Sequence, residues 1–264
     1  STAAGVGTAD SGNYAVDTLR PTASVSIDKT TIKAGETATV TIDFGQVVNG
    51  FTLDDLSSPA GGLSNLQVDA TDPTKYTATF TPTADVEDAT NVISLNLSGV
   101  TDSSSTAAGV GTADSGNYAV DTRVPNAGVL STAGASYLIT DNATAFPLTL
   151  AGQDAGVVTY QQSIDGGLNW TPVATAAEAA VRADGSYRFR ALVTDDSGNT
   201  GFSNVLRVVV GTSAPAAELL AMDAATDGNV DAGTVTTVTG ALAAVTDAYN
   251  SSGITGLGDE AVTL

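Results

Sequence analysis

Between Ser24 and Thr122 apolar and polar residues alternate with a period of two. In "TATVTIDFG" Ala38, Val40, Ile42 and Phe44 fall on one side and Thr39, Thr41 and Asp43 on the other. "KYTATFT" repeats the pattern with Tyr76, Ala78 and Phe80, "VISLNLS" with Ile93, Leu95 and Leu97, and "SVSID" with Val25 and Ile27. Successive side chains of a strand point to opposite faces, so this period predicts half-buried antiparallel strands. Turn-forming clusters ("NGF", "SSPAGG", "TDPTK") separate them. Six or seven short strands in about a hundred residues predict a β-sandwich.

A second patterned stretch runs over residues 123–212. "FPLTL" offers Phe146, Leu148 and Leu150, and "VVTYQQSI" offers Val158, Tyr160 and Ile164. "YRFRALV" buries Tyr187, Phe189, Ala191 and Val193 and turns Arg188 and Arg190 to water, and "NVLRVVV" closes the domain. Trp170 sits in "DGGLNWTPV", a hairpin arm. This too predicts an Ig-like or fibronectin-type sandwich. From Ser213 the period changes. Pro215 opens a helix through "AAELLAMDAA", and "ALAAVTDAY" places Leu242, Val245 and Tyr249 on one helical face. "TVTTVTG" and "EAVTL" read as strands. Strand and helix alternating every ~20–25 residues predict the first turns of an α/β solenoid. The expected fold class is mainly β: tandem Ig-like β-sandwiches followed by a short α/β strand–helix segment.

One long phrase occurs twice. "STAAGVGTADSGNYAVDT" fills residues 1–18 and returns unchanged at 105–122, 104 residues on. The expected division is therefore 1–18, the tail of a preceding repeat; 19–122, one whole Ig-like unit ending in the same tail; 123–212, the second sandwich; and 213–264, the strand–helix segment. An identical phrase used twice favours a repeated mechanical task over a unique active site.

Composition narrows the chemistry. Formal charge is −20, from 29 acidic against 9 basic residues, and aspartate dominates the acids. Such a field repels phosphates and anionic lipid, which argues against nucleic-acid or membrane-surface binding. The chain has no Cys and no His, which removes disulfides, thiolate metal sites and the commonest general base. No apolar run is long enough to span a membrane. Paired carboxylates could serve glycoside hydrolysis, but aromatic residues are only 5% of the chain, too few for sugar platforms. No enzyme is expected. Gly109-Val110-Gly111 lacks the third glycine spacing and the following helix of a dinucleotide fingerprint, and reads as a turn. Asp227, Asn229 and Asp231 copy the first ligand spacing of an EF-hand loop, but position 12 is Val238, so this too reads as a turn.

The candidate site is acidic. In an Ig-like sandwich the entering linker shares one end with the BC and FG loops, and the leaving linker shares the other with AB and EF. With "TPTADVEDATN" as an EF loop, Glu87 hangs beside Asp121 in the leaving linker. With "AGQDAG" and "TDDSGN" as BC and FG loops, Asp154, Asp195 and Asp196 rise towards the same linker. The expectation is a Ca2+ ion shared by these oxygens, with Asp17 acting at the upstream junction as Asp121 does here.

"TIKAGETATVTIDF", "FTPTADVEDATNVISL" and "NYAVDT" resemble the bacterial Ig-like repeats of giant secreted adhesins, including those of the RTX type. The resemblance covers most of residues 21–122 and the tail at 1–18. The glycine-rich calcium nonapeptides of RTX export regions are missing from this stretch. The resemblance implies an extracellular stalk segment at a bacterial surface, often rigidified by calcium, whose partners are neighbouring repeats of the same polypeptide. The alternative from another class is a ligand-binding module, with residues 213–264 as the recognition surface for a glycan or a protein.

Overall fold

Where the alternation is cleanest the backbone is extended: the strand Ala38–Asp43 buries Ala38, Val40 and Ile42 and leaves Thr39 exposed. The structure is a computed structural model that describes residues 19–103, 107–132, 137–140, 145–173, 182–226 and 228–264. The chain divides into two compact units, residues 1–123 and 124–264; the tail at 1–18 lies outside the described residues.

In the first unit an antiparallel sheet runs in the order Ser24–Ile27, Ala38–Asp43, Lys75–Pro82, Gly61–Val68. The other layer is built from shorter pieces. Thr112–Asp114, Ser94–Asn96 and Leu56–Ser57 form one, Val48–Asn49 with Thr101–Asp102 a second, and Thr31–Lys33, Tyr118–Asp121 and Glu87–Asn91 a third. Both layers feed one core, in which Val40, Ile42, Ala78 and Phe80 meet Ile93, Leu95, Tyr118 and Val120. Phe80 and Tyr118 are fully buried and meet edge to face at 5.3 Å, and the Tyr118 hydroxyl pairs with Ser58 Oγ at 2.8 Å. Burial of each such ring favours folding by about 1.5–3 kcal/mol.

The second unit has the same plan with one addition. A six-stranded sheet contains, in order, Tyr137–Thr140, Leu206–Val210, Gly185–Thr194, Val157–Ser163 and Thr171–Val173, with Thr200–Phe202 also paired to Gly185–Thr194. Val129–Ser131 and Thr149–Ala151 form the facing pair. Leu130, Phe146, Leu148, Phe189, Leu206, Val208 and Val210 fill the space between. Val209 points the other way, into a second core with Ala214, Leu219, Met222, Val238 and Val245. Both faces of Leu206–Val210 are therefore covered, which is why "LRVVV" is apolar almost without alternation.

That second cover is the C-terminal segment. Its strands Ser213–Pro215, Thr237–Thr239 and Ala261–Thr263 lie parallel, with Ser213 opposite Thr237 and Thr237 opposite Ala261, a spacing of 24 residues. Val230 pairs with Ile254 at the same spacing. Helices α1 (Ala216–Asp223) and α2 (Leu242–Asn250) follow the first two strands. The strand–helix order expected from the sequence is present, with paired strands offset by a constant 24 residues. The helical face expected on α2 is only partly right: Val245 and Ala248 are buried, but Leu242 and Tyr249 are exposed. A short helix lying on one neighbour buries a narrower stripe than its apolar residues could supply.

Candidate functional site

At the end of the first unit Glu87 and Asp121 are direct cross-strand partners. The expectation of an EF loop through residue 91 needs correction here. Glu87–Asn91 is itself a strand, pinned to Tyr118–Asp121, and Asp121 ends a strand rather than lying in a free linker. Only the turn before it is loop. There Thr122, buried, donates its hydroxyl to the Thr83 carbonyl at 2.7 Å and accepts the Val86 N–H at 3.0 Å. Arg123 serves both acids: its N–H donates to Asp121 Oδ1 at 3.2 Å and its guanidinium lies 3.5 Å from Glu87 Oε2.

At the start of the second unit the two predicted loops do reach the entering linker. Asn126 N–H donates to Asp154 Oδ2 at 2.8 Å, and Asp154 N–H returns a bond to the Asn126 carbonyl at 2.9 Å. The hairpin carrying Asp195 and Asp196 leans on the linker through Gly201, where the Pro125 carbonyl leaves no room for a side chain. Asp195 Oδ1 accepts the Asn199 N–H at 2.8 Å and Oδ2 its side-chain amide at 3.0 Å. Asp196 is exposed on the same turn. Asp17 lies outside the described residues. Within either unit, no three acidic side chains gather at metal-binding range among the described residues.

A similar Asp-to-Asn lock closes the hairpin before Trp170. Asp165 accepts the Asn169 N–H at 2.9 Å, the Ser163 hydroxyl at 2.7 Å and the Asn169 amide at 2.6 Å. The Asn169 backbone bond, then the Ser163 hydroxyl, hold its pKa down from 3.8 to about 2. Asp231, the one carboxylate of the EF-hand-like stretch that is described, caps a turn by accepting the Gly233 N–H at 2.9 Å; Asp227 is outside the described residues. The expected turn falls on Gly111, with a φ of 79°, while Gly109 lies against Leu97, whose Cβ would be 2.7 Å from any added side-chain carbon.

The arginine face is not simply solvated. Glu218 on α1 pairs with both Arg188 and Arg207, at 2.8 Å from Arg207 Nη1, and all three side chains are mostly covered. Arg190 lies between two aromatic rings, with its guanidinium carbon 4.1 Å from the centroid of Trp170 and 4.1 Å from that of Phe202. Its Nε donates to Gln161 Oε1 at 2.7 Å, and burial lowers its pKa. Alternation alone puts Arg188 and Arg190 on the outer face. Only the cross-strand register brings Phe202 opposite Leu192 and Gln161 opposite Arg190.

Residues 17–120 match the family model of a bacterial Ig-like domain. No curated protein matches the chain. Among solved structures, the fibronectin(III)-like modules of Clostridium thermocellum CbhA are similar at 15% identity, over 71% of this chain and 94% of that one, with a TM-score of 0.32. An Escherichia coli adhesin is similar at 14% identity, over 71% of this chain and 64% of that one, with a TM-score of 0.34. No helix among the described residues is long and apolar enough to cross a membrane.

Proposed function

We propose that this chain is a non-enzymatic extender segment of a bacterial surface or secreted adhesin, stiffened by Ca2+ where one sandwich hands over to the next. The observation that carries the reading is the bracing of the linker ends. Asn126 and Pro125 are held by the Asp154 loop and the Asp195 hairpin, while Thr122 is clamped between Thr83 and Val86. A segment meant to transmit force gains from connections that are bonded rather than loose. The family match over residues 17–120 supports a bacterial Ig-like module as the repeating part.

The acids fit calcium in kind. Ca2+ takes six to eight hard oxygen ligands at about 2.3–2.6 Å, and Glu87 and Asp121 in one unit, with Asp154, Asp195 and Asp196 in the other, offer such oxygens. Among the described residues neither unit brings three of them together, so an ion bound there would draw on backbone carbonyls and water as well. Arg123 already neutralises part of the Glu87–Asp121 pair, and an arriving cation would displace it. Scanning calorimetry and small-angle scattering test the proposal together. Millimolar Ca2+ should raise the melting temperature and narrow the range of scattering envelopes, and EGTA should reverse both. An unchanged melt and envelope would remove calcium from the account and leave a plain spacer.

A further inference from the structure

We propose that Trp170, Arg190 and Phe202 form a binding site for a sugar bearing a single carboxylate, of the hexuronate kind. The second unit, residues 124–264, carries fourteen carboxylates and four arginines. Two of those arginines, Arg188 and Arg207, share Glu218. Arg190 has no carboxylate within ion-pair distance among the described residues, and burial lowers its pKa. A cation that meets none of the described acids, and is partly desolvated, has unspent capacity for an anion.

The geometry says which part of it is open. The two rings flank the guanidinium carbon at 4.1 Å each, and Gln161 takes Nε. What is left is the outer Nη edge, the two-donor fork that matches a carboxylate. Phe202 is 54% exposed, so one ring beside the fork presents apolar surface on which the C–H face of a pyranose can stack. Trp170 is fixed in place by its own Nε1–H, which donates to the Gly167 carbonyl at 3.0 Å. A neutral sugar would use the ring and waste the fork, and an acidic peptide would use the fork and waste the ring.

The field of the whole chain limits the ligand to one charge. At −20 the protein repels polyanions at a distance, but this is screened beyond about 8 Å at physiological salt. Within that range the repulsion grows with the ligand's charge, so a lone carboxylate keeps its short-range bonds at less cost than an acidic polymer does.

Trp170 is the only tryptophan, so its emission reports this site alone. The full chain should be titrated with methyl β-glucuronide, methyl β-glucoside and a glutamate dipeptide, following Trp170 fluorescence. The glucuronide should give a saturable shift, with the glucoside and the dipeptide at least tenfold weaker. Arg190→Lys, which keeps the charge and loses the fork, should weaken the glucuronide at least fivefold, and Phe202→Ala should weaken it by a similar factor. Circular dichroism would confirm that each variant is folded. If Arg190→Lys does not fold, the comparison of the three ligands on the unaltered chain decides alone. Equal affinity for glucuronide and glucoside, equal affinity for glucuronide and dipeptide, no saturable shift, or full affinity in folded Arg190→Lys would each overturn the proposal.

Discussion

Asp165 shows how a carboxylate can be committed to structure while still exposed. Three donors from its own hairpin hold it charged, with a pKa of about 2. A depressed pKa means that the folded state prefers the anion. Its contribution is complete above the unfolded value of 3.8 and drains away as pH falls towards 2. Asp72 behaves alike, also at about 2, through the Thr74 hydroxyl first and Lys75 second. The melting temperature should therefore drop between pH 4 and 2, and less steeply in Asp165→Ala, as thermal melts across that range would measure. Gly109 makes a different residue-scale case. A methyl group there must enter the space of Leu97, so Gly109→Ala should cost about 1–3 kcal/mol in urea unfolding. The sequence read Gly109 as part of a turn, whereas its close contact with Leu97 was not legible, because the two lie twelve positions apart.

At the scale of elements, the C-terminal segment is fastened to the second sandwich by core and charge together. Leu219 and Met222 of α1 share a core with Val209, and the Tyr137 hydroxyl donates to the Asn229 carbonyl at 2.7 Å. Glu218 adds a bridge to two guanidiniums. Removing its charge leaves both without their anion in a mostly covered place. Glu218→Gln should cost about 1–3 kcal/mol and speed amide exchange in α1, while the exchange of the first unit's core strands stays as it was. The helices and strands of this segment were readable from periodicity and Pro215. Their attachment was not. "LRVVV" could have flagged it, since a strand apolar at neighbouring positions needs cover on both sides. Arg188 and Arg190, expected in water, are instead partners to Glu218 and to Trp170 with Phe202, because side chains distant in sequence fill that face.

For the molecule as a whole, the calcium proposal makes a paired demand. If acids from both units share an ion, Asp121→Asn and Asp154→Asn should each abolish the Ca2+-dependent rise in melting temperature, although they lie in different sandwiches. Loss in one variant only would place the ion within a single unit. The mainly β class, the sandwich strands and the strand–helix ending were determined by the sequence alone, because a period of two or of 3.6 is a local property written in adjacent residues. The pairing of Glu87 with Asp121, the linker held by Asp154 and Gly201, and the ring–guanidinium stack were decided only by the tertiary structure. Each joins residues from separate strands, and register between strands comes from the packing of the whole core rather than from any one stretch of chain.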